Sequence, residues 1–412
     1  MMTRISRLCL LIAAFILGFI TSRIHDQFIY IRSRSMIKDS HEGEQQQQHQ
    51  GMRKYSGTGS PDAPDAPLNI QRSNPSSSIP LNTKHVQPHP QHQQSLAQSG
   101  VPPKRVNAAF VILLQNKDLH EMRKTMRMLE STFNRHYGYP YVFLNNVPFS
   151  DHFKTHIQAM TKAPVKFGLI PKEHWSYPAY INQTQAALNR EDMENRKVPY
   201  GESESYRHMC RYESGFIFQH ELVKDYNYYW RVEPGVTFSC DLDFDPFLVM
   251  KTRKFKYGFT IALPEYVDTI PTLWENVKRF TTLHPEHISK RNSLEWISYD
   301  NGDTYNNCHF WSNFEIVDVS FFQSKAYMDF FNLLDATGGF FYERWGDAPV
   351  HSIAAALILD RRDIHFFNEI GYRHGMYEHC PENPALQLKC ACDPKDNVDW
   401  VQFSCLRRFL ET

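Results

Sequence analysis

The sequence predicts an α/β domain over residues 105–412, with a mixed, mostly parallel central sheet flanked by helices. Short apolar runs alternate there with stretches of helical spacing, which is the pattern of a parallel, doubly wound sheet. The aromatic content of 14% indicates a large buried core. The formal net charge of zero gives no broad electrostatic footprint for nucleic acid, so we expect no nucleic-acid partner.

The first hundred residues differ in composition from the rest of the chain. An uninterrupted apolar run with arginines on both sides predicts a transmembrane signal anchor over residues 8–22, after a cytoplasmic tail of residues 1–7. A cleaved signal peptide is the alternative, but no small-x-small cleavage site follows. Residues 23–104 are polar and of low complexity, which predicts a flexible stem. So short a span favours an early secretory membrane.

The elements of the domain follow in order from its apolar spacing. Residues 107–114 form an apolar run that predicts a buried first strand, and residues 119–133 have the spacing of an amphipathic helix. Ser324 is placed to cap a helix that ends before a Gly-Gly pair. The same reasoning predicts strands at 139–144, 165–170 and 256–263, and helices within 200–220 and at 271–283, 324–335 and 350–357.

A central strand is predicted in the aromatic stretch of residues 225–240. It should end at Glu233, because Pro234 cannot donate to a sheet ladder and Gly235 permits an unusual backbone. Open α/β sheets place ligands at the carboxyl ends of their strands, and a hard cation that bridges phosphates needs a carboxylate there. The alternative is a surface glutamate that pairs with Arg231.

Three segments are long and rich in rare residues: Tyr228-Tyr-Trp-Arg-Val-Glu-Pro234, Tyr305-Asn-Asn-Cys-His-Phe-Trp-Ser-Asn-Phe-Glu315 and Gly338-Gly-Phe-Phe-Tyr-Glu-Arg-Trp-Gly-Asp-Ala-Pro-Val-His351. They closely resemble the fungal Golgi α-1,2-mannosyltransferases, the type II membrane enzymes of glycosyltransferase family 15. The resemblance implies a single glycosyltransferase domain of the A type, anchored in the Golgi membrane with its catalytic part in the lumen. It also implies Mn²⁺ as cofactor, GDP-mannose as donor and mannose-terminated glycans of glycoproteins as acceptors.

The resemblance assigns the metal to Glu233 and His374. Asp241, Asp243 and Asp245 look like an Asp-x-Asp metal motif and would share one face of an extended strand, so they are the second candidate. An exposed strand face explains their spacing without a metal. In relatives a second acidic residue can stand where this chain has Gly235, so the site rests on fewer carboxylates.

Two carboxylates are predicted to be catalytic, given a transfer that retains the anomeric configuration. Glu315 opens an apolar strand, and we expect it to act as nucleophile or as electrostatic stabiliser of the anomeric carbon. Asp347 is the expected base for the acceptor hydroxyl, a task that the departing phosphate can also perform. A helix N-cap is the alternative role for Asp347.

Four residues are predicted to bind substrate: Tyr206, Arg207, Arg211 and Arg231. Tyr206 matches a family tyrosine that the resemblance places at the substrate. The arginines suit phosphate oxygens because the guanidinium group offers two parallel donors. A helix that simply packs on the sheet is the alternative for residues 206–215.

Seven cysteines follow the anchor, in a compartment that oxidises thiols. The last four, Cys380, Cys390, Cys392 and Cys405, are expected to form disulfides, and the odd total leaves at least one thiol free or intermolecular. The pairing does not follow from the sequence. Asn182 begins an Asn-x-Thr glycosylation sequon, which is consistent with a luminal domain.

Two other functions compete with α-1,2-mannosyl transfer. One is a transferase of the same family that adds mannosylphosphate. The other is a membrane-tethered sugar-binding protein that has lost catalysis. The presence of Glu233, Glu315, Asp347 and His374 argues against the second.

Overall fold

The computed structural model describes residues 105–412, so the predicted tail, anchor and stem lie outside the described residues. Within residues 105–412, no helix is long and apolar enough to cross a membrane. The strands are β1 (Ala108–Leu113), β2 (Tyr141–Asn145), β3 (Val165–Leu169), β4 (Tyr228–Arg231), β5 (Thr237–Phe238), β6 (Tyr257–Phe259), β7 (Ala262–Pro264), β8 (Cys308–Phe310), β9 (Glu315–Asp318), β10 (Ile364–Phe366), β11 (Tyr372–His374) and β12 (Tyr377–His379).

The α-helices include several of a single turn. They are α1 (Leu119–Leu129), α2 (Arg135–Tyr137), α3 (Asp151–Gln158), α4 (Gln183–Asn195), α5 (Glu204–Gly215), α6 (Pro246–Arg253), α7 (Leu273–Leu283), α8 (Leu294–Ile297), α9 (Val319–Phe322), α10 (Lys325–Asp335), α11 (Gly339–Tyr342), α12 (Asp347–Ile358), α13 (Pro384–Gln387) and α14 (Leu406–Glu411).

The central sheet has seven strands in the order β10-β6-β9-β4-β1-β2-β3. β9 runs antiparallel to both of its neighbours, and the other neighbouring pairs are parallel. A smaller sheet has the order β12-β11-β5, and β7 pairs with β8. The predicted α/β architecture with a mixed, mostly parallel sheet is therefore confirmed.

The strand β4 lies in the middle of this sheet and is buried on both faces. Successive side chains of a strand point to opposite faces, so Tyr229 packs into one hydrophobic core and Trp230 into the other. Phe110 of β1 lies beside Trp230, with 5.4 Å between the ring centroids. Aromatic packing on both faces thus holds the end of β4 in a fixed position.

Two strand predictions differ from the structure. β4 ends at Arg231, two residues before Glu233, although the amide of Val232 still donates to the Val111 carbonyl at 3.1 Å. The single strand predicted at 256–263 is instead β6 and β7. β6 pairs within the central sheet and β7 pairs with β8, so the chain changes partners between them.

The helix predicted over residues 119–133 ends as α1 at Leu129 and continues as a π-helix over Glu130–Asn134. At this junction the hydroxyls of Ser131 and Thr132 both donate to the Met128 carbonyl, at 2.8 and 3.0 Å. Side-chain donors of this kind compete with the backbone amides for helix carbonyls. The altered turn therefore has a local cause in the sequence.

Two disulfides, Cys240–Cys390 and Cys308–Cys405, tie the C-terminal segment to the rest of the domain, and a third, Cys380–Cys392, lies within that segment. All four C-terminal cysteines are paired, as predicted. Cys210 is buried and its thiol is free, which accounts for the odd number.

Candidate active site

A cavity of about 250 Å³ opens where β1 and β4 end, at their carboxyl edge. This is the edge at which open α/β sheets bind ligands. Strand ends, the loops that follow them and one face of α5 form the wall. The lining residues are Leu113, Asp118, Met209, Glu213, Arg231, Glu233 and Pro234.

The loop after β4 is held against α1 by a single threonine. The amide of Gly235 donates to Oγ1 of Thr125 at 3.1 Å, and that hydroxyl donates to the Val236 carbonyl at 2.9 Å. Gly235 has a φ of +84°, a left-handed conformation that favours glycine. These contacts fix the path of the chain that carries Glu233.

Arg231 is the cation at the centre of the site and is 5% exposed. Its Nη1 donates to Oδ2 of Asp347 at 2.5 Å, and its Nη2 donates to Oε1 of Glu233 at 2.7 Å. Its Nε lies 3.9 Å from Oε1 of Glu213. Burial alone would lower the pKa of Arg231, but these carboxylates raise it well above its usual value. Arg231 therefore stays charged and organises the acidic groups around it.

Asp347 occupies the first turn of α12 but does not cap it. The N-cap residue is Gly346, and no side-chain hydrogen bond closes this end, so the N-cap role proposed for Asp347 is wrong. Its Oδ2 also accepts from the hydroxyl of Ser312 at 2.6 Å. Burial would raise the pKa of Asp347, yet Arg231 and these hydrogen bonds hold it well below its usual range. Asp347 is the first residue inside the helix, and its carboxylate pairs with Arg231 and Ser312 instead of capping the helix amides.

Glu315 begins β9, as predicted, and stands opposite Arg231 in the β4–β9 ladder. It is fully buried. Tyr229 donates to its Oε1 at 2.8 Å, and Tyr257 donates to its Oε2 at 2.9 Å. Glu315 is not among the residues that line the cavity. The structure thus gives no support for direct attack by Glu315, and that role stays a prediction.

His351 of α12 is the further partner of Glu315. Its Nδ1 lies 3.0 Å from Oε2 of Glu315, and its Nε2 lies 3.2 Å from the carbonyl oxygen of Glu213. Burial lowers the pKa of His351, but the neighbouring Glu315 carboxylate outweighs this and raises it. Both ring nitrogens face acceptors, an arrangement that the doubly protonated imidazolium satisfies.

Of the two predicted metal ligands, Glu233 lines the cavity, whereas His374 is not among the residues that line it. Glu233 follows β4, and His374 ends β11 of the smaller sheet. Nδ1 of His374 lies 2.7 Å from the side-chain amide of Asn313, which in turn accepts from the Tyr372 hydroxyl at 2.8 Å. Burial is the largest cause of the raised pKa of the Tyr372 hydroxyl, and the negative charge of Glu233 raises it further. Tyr372 thus donates to Asn313, the neighbour of His374, and also lies within electrostatic range of Glu233.

The aspartate triplet does not form a shared site. Residues 241–245 are not a strand, and Asp241 and Asp243 are exposed whereas Asp245 is buried, so the three do not share one face. Asp243 pairs with Lys389, whereas Asp245 caps α6 and accepts from the Tyr139 hydroxyl at 2.6 Å. Among residues 105–412, the triplet is absent from the groups whose ligand atoms are close enough to share a cation.

Three of the predicted substrate-binding residues lie on α5. Tyr206 is half-buried and stacks on Tyr200, with 4.5 Å between the ring centroids. Arg207 donates to the carbonyls of Glu343 and Ser203, at 3.0 and 2.9 Å.

The third residue, Arg211, forms a two-pronged pair with Asp335 at 2.7 and 2.8 Å. Both α5 arginines thus contact atoms of this chain, and of the four predicted residues Arg231 alone lines the cavity. Their contact with substrate stays a prediction.

Several residues of the site were not predicted from the sequence: Asp118, Met209, Glu213, Ser312, Asn313 and His351. Ser312, Asn313 and His351 lie within the motifs quoted above, so their position was a usable signal. Met209 and Glu213 stand three and seven positions after Tyr206, the spacing of one helical face. Asp118 follows the first strand, but nothing in the sequence sets it apart.

Comparison with known proteins identifies the family. A profile of the family described as glycolipid 2-alpha-mannosyltransferase matches residues 67–412. The chain is 53% identical over 309 residues to the O-glycoside alpha-1,2-mannosyltransferase omh1 of Schizosaccharomyces pombe, which covers 75% of this chain and 79% of the relative. It is 49% identical over 322 residues to glycolipid 2-alpha-mannosyltransferase 1 of Candida albicans, covering 78% and 75%.

Two solved structures share the fold. Core-mannan synthase A of Aspergillus fumigatus, in a Mn/GDP form, aligns with a TM-score of 0.68 at 41% identity and covers 74% of this chain and 82% of its own. The mannosyltransferase Ktr4p of Saccharomyces cerevisiae, in complex with GDP, aligns with a TM-score of 0.72 at 35% identity over the same shares. By its sequence and its fold, the chain belongs to the fungal α-1,2-mannosyltransferases of glycosyltransferase family 15.

Proposed function

We propose that this protein transfers mannose from GDP-mannose to the 2-hydroxyl of a mannose-terminated glycan, with retention of configuration. The observation that carries the proposal is the cavity at the ends of β1 and β4, where Arg231 and Glu233 stand side by side. A buried cation beside a more exposed carboxylate suits a diphosphate that arrives with a divalent cation. Family membership, and relatives solved with GDP and with manganese, support the same donor and cofactor.

Glu233 and His374 are the residues proposed to hold Mn²⁺. Only Oε1 of Glu233 pairs with Arg231, so among the described residues its Oε2 has no hydrogen-bond partner. A carboxylate together with an imidazole suits Mn²⁺ better than Ca²⁺. When bound, the cation offsets charge on the leaving diphosphate.

Asn313 sets the orientation of the proposed imidazole ligand. A metal-binding histidine usually donates its other ring N–H to an oxygen acceptor. Here Nδ1 of His374 faces the amide of Asn313 at 2.7 Å, and the ring stacks on Trp311 with 5.1 Å between centroids. As the amide stands, its nitrogen faces Nδ1 and its oxygen accepts from the Tyr372 hydroxyl. Metal binding through Nε2 requires the amide to turn over, so that its oxygen accepts from Nδ1–H and its nitrogen donates to the Tyr372 hydroxyl oxygen. Asn313 is thus the proposed positioning residue for His374.

Asp347 and Glu315 are proposed to act at different places. A carboxylate whose pKa is held low is a weak base, so the departing phosphate is the better acceptor for the hydroxyl proton. Asp347 then serves to hold Arg231 in place. Glu315 stabilises positive charge at the anomeric carbon through the buried network, and attack by Glu315 itself remains the alternative that mutation tests.

The protein is further proposed to be a type II Golgi membrane protein with this domain in the lumen. The apolar run of residues 8–20 and the disulfides support this location. Asn182 is exposed and caps α4 through its carbonyl oxygen, which accepts from the Gln185 amide at 3.1 Å. A glycan on its nitrogen leaves that cap intact. Endoglycosidase treatment of the cellular protein should therefore shift its mobility, and Asn182→Gln should abolish the shift.

The deciding experiment is transfer by the purified full-length protein. Labelled GDP-mannose, α-methyl mannoside and Mn²⁺ should yield an α-1,2-linked disaccharide, and chelation should stop its formation. A mannosylphosphate product would establish the competing transferase, and donor or glycan binding without any product would establish the inactive sugar-binding protein.

The metal assignment is tested by a matched pair of variants. Glu233→Gln should weaken Mn²⁺-dependent binding of GDP-mannose at least tenfold, because removing one carboxylate takes away a charged ligand. Asp243→Asn, which removes an exposed carboxylate that pairs with Lys389, is the control and should leave binding unchanged. The reverse pattern would assign the metal to the aspartates. Isothermal titration at fixed Mn²⁺ measures both.

A further inference from the structure

Glu213 has an environment that the roles described so far do not explain. It belongs to α5, is 1% exposed and lines the same cavity as Arg231 and Glu233. Its Oε1 lies 3.9 Å from Nε of Arg231, beyond hydrogen-bond distance. Among the described residues its Oε2 has no hydrogen-bond partner. A buried polar atom without a partner is costly, and Glu213 lines the cavity, so a polar group that enters the cavity is the available partner for this carboxyl.

The protonation state of Glu213 narrows the choice of ligand. Burial raises the pKa of Glu213 to about 8, even though Arg231 acts to lower it. The carboxyl group is therefore mostly neutral at pH 7, with one O–H donor and a remaining acceptor. A group that both donates and accepts suits a hydroxyl, whereas metal ions and phosphates are bound by charged groups.

The position of Glu213 fits the sugar part of the donor. The cation proposed at Glu233 neutralises the diphosphate, and the transferred hexose is the next group along the donor molecule. Glu213 reaches the same cavity from α5. Met209, one turn earlier on that helix, supplies an apolar neighbour on the wall.

We propose that Glu213 is a binding residue for the transferred hexose, with its free carboxyl oxygen hydrogen-bonded to one sugar hydroxyl of the donor. This inference rests on the proposed function, because it takes a nucleotide sugar to be the occupant of the cavity. It adds a contact that distinguishes the sugar nucleotide from the nucleotide alone.

Two substitutions separate the hydrogen bond from the packing. Glu213→Met keeps the length of the side chain and removes both donor and acceptor, and an apolar group should be tolerated where the carboxyl has no full partner. We expect it to raise KM for GDP-mannose about tenfold, the effect of one lost hydrogen bond to a buried group. Glu213→Gln supplies an amide that donates and accepts, so its KM should stay close to that of the wild type.

Inhibition by GDP provides the readout that a purely structural role would not give. GDP lacks the hexose, so its inhibition constant should be the same for wild type, Glu213→Met and Glu213→Gln. Donor analogues that each lack one mannose hydroxyl give an independent check. The analogue that lacks the hydroxyl bound by Glu213 should bind the wild type less tightly than GDP-mannose does. Glu213→Met should bind that analogue and GDP-mannose equally well.

A control variant and the contrary outcomes complete the test. Glu130→Gln alters a carboxylate that accepts from Tyr141 at 2.7 Å and from Thr161 at 2.9 Å, and both kinetic constants should be unchanged. Glu130 stands twelve residues after Asp118, about 18 Å along the helix from the cavity.

If the wild type transfers mannose but Glu213→Met loses GDP and GDP-mannose binding equally, the inference is overturned. It is also overturned if the variant loses neither. Absence of transfer by the wild type would instead overturn the proposed function.

Discussion

At the scale of single residues, the site depends on a buried arginine that is shared among carboxylates. Arg231 contacts Asp347 and Glu233 directly and approaches Glu213 at 3.9 Å. Removing one partner of a buried pair leaves an uncompensated charge, which is far more destabilising than losing an exposed pair. Substitutions around Arg231 should therefore change stability as well as activity.

Asp347→Asn tests that expectation. Loss of the negative charge beside buried Arg231 should lower the free energy of unfolding by about 3 kcal/mol. Capping of α12 would predict only about 1 kcal/mol, so the magnitude separates the two explanations. Asp192→Asn is the control, because Asp192 forms an exposed pair with Arg196 at 2.9 Å and should cost about 0.5 kcal/mol or less. Urea unfolding measures both, and equal costs would contradict the buried-pair account.

Glu315→Gln separates direct attack from electrostatic stabilisation. Both roles predict turnover reduced by orders of magnitude with GDP-mannose affinity nearly intact, because Glu315 does not line the cavity. A nucleophile would also leave a mannosyl ester on Glu315 in the wild type, visible by mass spectrometry of rapidly quenched enzyme. Turnover close to wild type would rule out both roles and leave front-face attack guided by the departing phosphate.

At the scale of elements, short local signals determine where helices begin. The hydroxyl of Ser324 accepts from the Tyr327 amide at 3.2 Å and starts α10, whereas Ser293 starts α8 without any such bond. Its hydroxyl is buried and, among the described residues, has no hydrogen-bond partner. The two serines therefore form a natural comparison.

Ser324→Ala should lower the free energy of unfolding by about 1 kcal/mol, because the capped amide loses its acceptor. Ser293→Ala should be neutral or slightly stabilising, because it removes a polar atom that has no partner. Chemical denaturation of the two variants gives the comparison, and a larger loss for Ser293→Ala would contradict it.

At the scale of the whole molecule, His351 connects three elements. It lies on α12 and contacts the side chain of Glu315 on β9 and the backbone of Glu213 on α5. Because its pKa is raised in the folded state, its contribution to stability is fully present below its unfolded pKa of about 6.5. That contribution is lost as the pH rises through the raised folded pKa. The contact is therefore strongest in mildly acidic solution.

His351→Gln measures that contribution. The variant should lose more unfolding free energy relative to wild type at pH 6 than at pH 9, because the wild type alone gains from the imidazolium. Denaturation across this pH range provides the measurement. His287, partly exposed and paired with Asp329 at 2.7 Å, supplies the control substitution His287→Gln, whose effect should be smaller at pH 6. A difference that grows with pH would reverse the assigned sign.

The sequence by itself determined the α/β class, the first three strands, the capped helix α10 and the family, because each depends on local spacing or on contiguous motifs. Each of these signals lies within a short stretch of consecutive residues, so it can be recognised before the fold is known. They also indicated that the strand through Arg231 carries a carboxylate to the edge of the sheet.

Only the tertiary structure decided how the polar groups pair. Arg231 and Asp347 are 116 residues apart in the chain, and Glu315 meets Tyr257 and His351 only because the sheet and α12 bring them together. A buried charge needs a partner, and only the fold brings Arg231 to Asp347 at the start of α12. For the same reason, only the folded structure shows that Glu213 lines the cavity and that its Oε2 has no partner among the described residues.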